Sequence, residues 1–189
     1  MTPSQGLDTK RNTPGARDRR IAEMLRVDHA GEYGAVQIYR GQRAVFDGLA
    51  HKARVSRLLK EMEDGEAAHL ETFDRLLTQR GVRPTLLAPF WNAAGFALGA
   101  ATALAGEKSA MACTAAVEEV IEEHYGDQER ELRPIEPALA DTVKAFREDE
   151  IGHKTTAENE GADEAFAYPL LTAAIKLGCR VAIRLAEKV

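Results

Sequence analysis

Apolar positions recur along this chain at steps of three and four, the period of a helix with one buried face. The first such stretch runs from about Asp18 to Asp47, with Ile21, Leu25, Asp28, Glu32, Val36, Tyr39 and Phe46 on one stripe. A second, from about His51 to Arg80, carries Val55, Leu59, Met62, Glu66, His69, Phe73 and Leu76 and stops at Gly81. A third spans about Glu107 to Leu132, with Met111, Thr114, Glu118, Ile121, Tyr125 and Leu132 aligned. A fourth spans about Pro137 to Glu160 and aligns Leu139, Val143, Phe146, Glu150, His153 and Ala157 before Gly161. A last helix, about Tyr168 to Glu187, sets Leu170, Leu171, Ile175, Leu177, Val181, Ile183 and Leu185 against Lys176, Arg180, Arg184 and Lys188. A basic amphipathic helix of this kind suits a membrane surface or packing on the other helices.

Between the second and third stretches, Thr85 to Gly106 carries no charge. A membrane span is disfavoured there. Pro89 leaves roughly 17 usable residues, about 25 Å of helix, short of a hydrocarbon core of roughly 30 Å. Gly95, Gly99 and Gly106 weaken it further as an isolated helix. An apolar crossover between two helical hairpins is the better expectation, and it could also lie on a membrane surface. Ahead of the first helix, residues 1–17 are polar and hold Pro3, Gly6, Pro14 and Gly15. They are expected to be a disordered tail, whose bases, with Arg19 and Arg20 just beyond, would favour an anionic membrane or have no role.

Composition agrees with helix. The chain has 189 residues, 44% of them hydrophobic, which suggests one domain, 18–189, with a sizeable core. Few aromatics and many alanines favour an all-α fold. The net charge of −5 argues against nucleic acid as a partner. Cys113 and Cys179 form no C-x-x-C pair and fit a reduced setting, and no apolar leader precedes the first helix.

Certain seam positions hold the wrong residues for a core. Glu66-Ala67-Ala68-His69 and Glu150-Ile151-Gly152-His153 are two copies of Glu-x-x-His. Glu32 precedes the first copy by 34 residues and Glu118 precedes the second by 32. Residues three apart share a helix face, so each motif offers a carboxylate and an imidazole side by side. A lone Glu-x-x-His means little, since wet helix faces are full of such pairs. Two copies in apolar seams, each led by a seam glutamate, are a different matter. A buried unpartnered carboxylate is costly, and four together repel. Two divalent cations would neutralise them, with two imidazoles completing the ligands. This is the recipe of the ferritin-like di-iron or di-manganese carboxylate bundles, and open positions in mixed oxygen and nitrogen ligation suit iron that meets O₂. Among Glu118, Glu119, Glu122 and Glu123, the helical wheel places Glu118 nearest the apolar face, with Glu122 in reserve. His29 reads as a core or supporting histidine. Asp28 would orient a ligand imidazole or meet an arginine.

Asp28-His29-Ala30-Gly31-Glu32-Tyr33-Gly34-Ala35, the Pro84 to Gly106 crossover, Ala116-Val117-Glu118-Glu119, His124-Tyr125 and Glu148-Asp149-Glu150-Ile151-Gly152-His153 together resemble the demethoxyubiquinone hydroxylase family. The resemblance covers about Arg20 to Val189. It implies a ferritin-like four-helix bundle with an additional C-terminal amphipathic helix. It also implies an O₂-dependent monooxygenase that hydroxylates the ring of demethoxyubiquinone or its quinol in ubiquinone biosynthesis. Carried over, Glu32, Glu66, His69, Glu118, Glu150 and His153 would bind two iron ions, and Tyr125 and His124 would help reduce the site or the quinone. Reducing equivalents would come from NADH, a partner protein or the quinol. The location implied is peripheral, at the cytoplasmic face of a bacterial inner membrane, with a biosynthetic partner protein and an oligomer both compatible. Glycines beside the motifs (Gly31, Gly34, Gly65 and Gly152) are expected to leave room for a quinone ring. The rival of a different class is a ferroxidase or iron-storage bundle, against which the uncharged crossover speaks. A rubrerythrin-like peroxidase lacks its C-x-x-C pairs here.

Overall fold

A computed structural model describes residues 15–187. The described residues form six α-helices: α1 (Ala16–Phe46), α2 (Ala53–Arg80), α3 (Ala88–Leu104), α4 (Glu107–Leu132), α5 (Pro137–Asn159) and α6 (Tyr168–Ala186), with single 3₁₀ turns before α2 and α6. The fold is the expected all-α, ferritin-like bundle. Helix ends follow local chemistry. Gly81 closes α2 in the left-handed region at φ 62°, where glycine carries no Cβ penalty. Pro137 begins α5, at a position where the missing N–H costs nothing.

The N-terminal boundary differs from the sequence expectation. Residues 1–14, with Lys10 and Arg11, lie outside the described residues. Ala16 and Arg17, assigned to the tail, open α1 instead. Asp18 is the third helical residue, not the first, and accepts the Gly15 N–H at 3.3 Å. Arg17 donates to the Ile135 carbonyl, and Arg20 pairs with Glu131 at 2.9 Å. These two cations therefore tie α1 to the α4–α5 joint and are not offered to a membrane.

Cross-links fix the topology. Arg40 to Glu63 and His29 to Asp74 make α1 and α2 antiparallel. Arg80 to Glu136 and Arg54 to Glu160 do the same for α2 and α5, and Arg133 to Asp141 with Lys154 to Glu122 for α4 and α5. The four long helices enclose two apolar layers. One contains Leu25, Phe73, Leu132 and Val143; the other contains Phe46, Leu59, Met111 and Ala157. On every helix the seam glutamates and histidines lie between these layers.

The expected crossover is α3, which runs alongside α1 in the same direction. Its glycines are the price of close approach: a Cβ on Gly99 would stand 2.0 Å from the Ile38 carbonyl oxygen, and one on Gly41 2.2 Å from that of Phe96. Among the described residues no helix is long and apolar enough to cross a membrane. Two cations of α6 reach the bundle, where Lys176 meets Glu119 at 2.6 Å and Arg180 meets Glu123 at 3.0 Å, while Arg184 stays exposed and Lys188 lies outside the described residues. Large apolar side chains are left exposed on α3, on α6 and on the segments leading into them: Leu86 (77%), Phe90, Phe166 (92%), Leu170 (73%) and Leu177.

Candidate metal centre

The six seam residues singled out by sequence converge at mid-bundle. Two sets of ligand atoms form, each with all atoms within 4.8 Å of one another. The first is Glu32, Glu66, His69 and Glu150; the second is Glu66, Glu118, Glu150 and His153. Glu66 and Glu150 belong to both. The cluster is buried, and most of its polar atoms are orphaned. Both oxygens of Glu66 and of Glu150, one oxygen each of Glu32 and Glu118, and Nδ1 of His69 and of His153 make no well-aligned hydrogen bond among the described residues, although His153 Nδ1 stands 2.8 Å from Glu66 Oε1 and His69 Nδ1 3.2 Å from Glu150 Oε1. Buried polar groups left this way cost roughly 1–3 kcal/mol each, more if charged. Lone pairs from four carboxylates and two imidazoles, aimed at common points, fit two divalent cations. The cluster can therefore hold metal.

Its electrostatics without metal lead to the same reading. Burial first, then mutual repulsion, pushes the Glu66 and Glu118 carboxyls far above the usual range. Glu32 is raised as well, chiefly by burial. Burial works against charge on His69, but the Glu150 and Glu32 carboxylates outweigh it and raise the imidazole to about 10. Burial also opposes charge on Glu150, yet His153, His69 and Glu118 bring it down to about 2. Protons and cations thus compete for the same lone pairs.

A further layer holds these ligand atoms in place. Tyr125 donates to Glu32 Oε1, and Tyr39 donates to Glu118 Oε1 at 2.6 Å. Tyr39 was read from sequence only as a stripe aromatic; its spacing to Glu32 matches that of Tyr125 to Glu118, seven residues each, and could have flagged it. His69 Nε2 lies 3.1 Å from Asp149 Oδ2, and Phe146 stacks on the ring at 3.9 Å between centroids. With its proton on Nε2, His69 presents the Nδ1 lone pair to the cluster.

Asp149 therefore takes the role expected of Asp28. Asp28 meets neither a ligand imidazole nor an arginine at hydrogen-bond range. It accepts from Gln128 at 2.6 Å and faces His124 Nε2 at 3.3 Å, placing His124 beside the cluster and not in it. His29 faces Asp74 at 2.9 Å, away from the cluster. The competing glutamates of α4 are occupied: Glu119 with Lys176, Glu123 with Arg180, and Glu122 with Lys154 and Arg147. Gly65, expected to leave room for a substrate, makes room for His153: a Cβ there would stand 3.3 Å from the imidazole.

On the other side of α1 and α4 lies an apolar cavity of about 480 Å³ between α1, α3, α4 and α6. Gly31 and Gly34, the neighbours of Glu32, line it, as do Val117 and Ile121 around Glu118, with Trp91 and Ile175 opposite. A Cβ added at Gly31 or Gly34 would meet nothing within 4 Å.

Comparison with known proteins agrees. The family model described as ubiquinone biosynthesis protein COQ7 matches residues 19–186. The 3-demethoxyubiquinol 3-hydroxylase of Rhodospirillum rubrum is 49% identical over 169 residues, covering 89% of this chain and 78% of that protein. The Bos taurus protein named NADPH-dependent 3-demethoxyubiquinone 3-hydroxylase, mitochondrial, is 45% identical over 172 residues, 89% of this chain and 77% of its own length. The Saccharomyces cerevisiae 5-demethoxyubiquinone hydroxylase, mitochondrial, is 42% identical over 185 residues, with 89% and 78% covered. A pair of seam Glu-x-x-His motifs in an all-α bundle, matched by the family model over residues 19–186, places this chain in the COQ7 family of ubiquinone biosynthesis proteins.

Proposed function

We propose that this protein is a monooxygenase that hydroxylates the ring of demethoxyubiquinone, or its quinol, at a di-iron centre. The observation that carries the reading is the orphaned Glu/His cluster backed by an apolar cavity of about 480 Å³. The cluster would hold two ions, with Glu66 and Glu150 common to both ligand sets. Glu32 and His69 would complete one site, Glu118 and His153 the other. Bound iron would supply the activation of O₂. In the net reaction one oxygen atom enters the ring C–H bond as hydroxyl. The other leaves as water, taking two electrons and two protons.

The chain's own residues do the positioning. Tyr39 and Tyr125, both buried and held far above the ordinary phenol range by burial first, stay neutral donors to Glu118 and Glu32. Asp149 orients His69. The apolar layers and the cavity exclude water from the reacting carbon. Tyr125 donates to Glu32 while His124 faces Asp28 and Gln128, and together they would suit a path for protons and electrons to the site. A nicotinamide, a partner protein or the quinol itself would supply the electrons; the Bos taurus relative is named NADPH-dependent, where the resemblance implied NADH. The exposed apolar side chains of α3 and α6 would seat the protein peripherally on the membrane that carries its substrate, at the cytoplasmic face of a bacterial inner membrane. Deleting α6 should then abolish liposome binding.

A single turnover tests the reaction. Protein loaded anaerobically with Fe(II) receives short-tailed demethoxyubiquinol and then ¹⁸O₂. Product with one ¹⁸O atom is expected. Oxidised iron with unchanged quinol would move the reading to ferroxidase.

A further inference from the structure

Trp91, the sole tryptophan of the chain, lines the cavity from α3. Its indole Nε1 is buried and has no hydrogen-bond partner among the described residues. The side chain as a whole is only half-buried, edge-to-face with the exposed Phe90 ring at 5.0 Å. The N–H therefore belongs to the buried part of a ring that lines the cavity. Every other side chain lining the cavity is apolar except the Cys179 thiol. A buried N–H in such surroundings is costly. Water is a poor remedy, since a buried water needs two to four polar partners and these walls offer almost none. An acceptor carried in by a ligand is the better one.

The register says where that acceptor would lie. Gly95 stands against Gly34, so Trp91, one turn earlier, is level with Ala30 and Gly31. It packs with Val27, Ala30 and Ala186. Gly31 precedes Glu32 of the metal cluster. An oxygen bound at Trp91 therefore holds its ring at the height of Glu32, beside glycines whose missing side chains leave the space open.

We propose that the Trp91 indole N–H is a positioning donor that grips a ring oxygen of the quinone head group and so sets which ring carbon faces the metal centre. This rests on the substrate reading above. The test is calorimetric binding to the full metal-loaded protein and to its Trp91→Phe variant, which keeps an aromatic ring and removes the donor. Two ligands are compared: a short-tailed demethoxyubiquinone, and a benzene ring with the same tail and no oxygens.

The variant should bind the quinone about three- to tenfold more weakly, the worth of one hydrogen bond, and the hydrocarbon unchanged. In the wild type, the ultraviolet resonance Raman mode that reports indole N–H hydrogen bonding should shift with the quinone and not with the hydrocarbon. This second measurement decides the matter if the variant fails to fold. Equal loss for both ligands, no loss for either, or an unmoved Raman mode with quinone bound would overturn the role of Trp91 and leave the hydroxylase reading standing. Failure of the wild type to bind the quinone at all would overturn both.

Discussion

Tyr125 of α4 donates its hydroxyl hydrogen to Glu32 of α1. The relationship is reciprocal, because Tyr39 of α1 donates to Glu118 of α4. Each tyrosine lies seven residues, two helical turns, after the glutamate of its own helix, and antiparallel packing carries it to the glutamate of the other. The cluster is thus built as two crossed halves, each with one glutamate, one Glu-x-x-His and one tyrosine.

Removing either hydroxyl leaves a buried carboxylate oxygen without its donor. Tyr39→Phe should cost the loaded protein about 1–3 kcal/mol of stability, the worth of a hydrogen bond to a charged group. Denaturant unfolding measures it, and an unchanged midpoint and slope would show that Glu118 draws nothing from Tyr39.

Metal-free protein should lose stability as pH rises from the ordinary carboxylate range towards about 10, the folded value of His69. Glu32, Glu66 and Glu118 have raised folded values, so their contribution is full below the ordinary carboxylate range and is lost as pH climbs through the folded values. His69, raised to about 10, acts in the same direction above its ordinary value of 6.5. Glu150, lowered to about 2, acts oppositely but only below its ordinary 4.5, outside this window. Metal takes the place of these protons, so loading should release protons and tighten with pH. Calorimetry of chelated protein across the range checks the first claim, and metal titration in buffers of different ionisation enthalpy checks the second.

Asp149→Asn should weaken metal binding by about tenfold or somewhat more, since it loosens the imidazole that presents Nδ1. Asp28→Asn, which alters only the His124 and Gln128 contacts, should leave affinity unchanged. Competition against a chromophoric chelator separates them, and equal losses would sink the assignment.

Gly99→Ala should destabilise by about 1–3 kcal/mol or more, because the new methyl meets the Ile38 carbonyl and drives α3 off α1. Gly178→Ala in α6, where a Cβ meets nothing within 4 Å, should instead gain roughly 0.5–1 kcal/mol of helix propensity. Thermal unfolding of the pair checks both signs.

The Cys179 thiol, pushed by burial to about 11, should stay protonated and inert beside an electrophilic quinone. Maleimide labelling at neutral pH should be slow, and slower still with quinone bound. Rapid labelling unaffected by quinone would place the thiol outside the cavity.

The sequence by itself determined the helices and the cluster's membership. Periodicity and the proline and glycine stops place the elements within a few residues. A charged residue in an apolar seam is a local anomaly that needs no coordinates to detect, and Glu32, Glu66, His69, Glu150 and His153 announce themselves that way, whereas Glu118 stands at the edge of its apolar face and competes with Glu122, which the fold pairs with Lys154 and Arg147. What only the tertiary structure decided is which residues meet across helices. Asp149 sits off the seam and is mostly exposed, yet it reaches His69 from another helix. Asp28 sits on the seam and turns instead to His124 and Gln128. The basic side of α6 looks fit for a membrane until α4 supplies Glu119 and Glu123. The cavity belongs to no single stretch, since it exists only where four helix faces, rich in glycine and alanine on α1, α3 and α6, fail to close on one another. Helical period is a property of neighbours in the chain, whereas partnership and empty space are properties of the packing angle and register between helices, and these follow from the whole core at once.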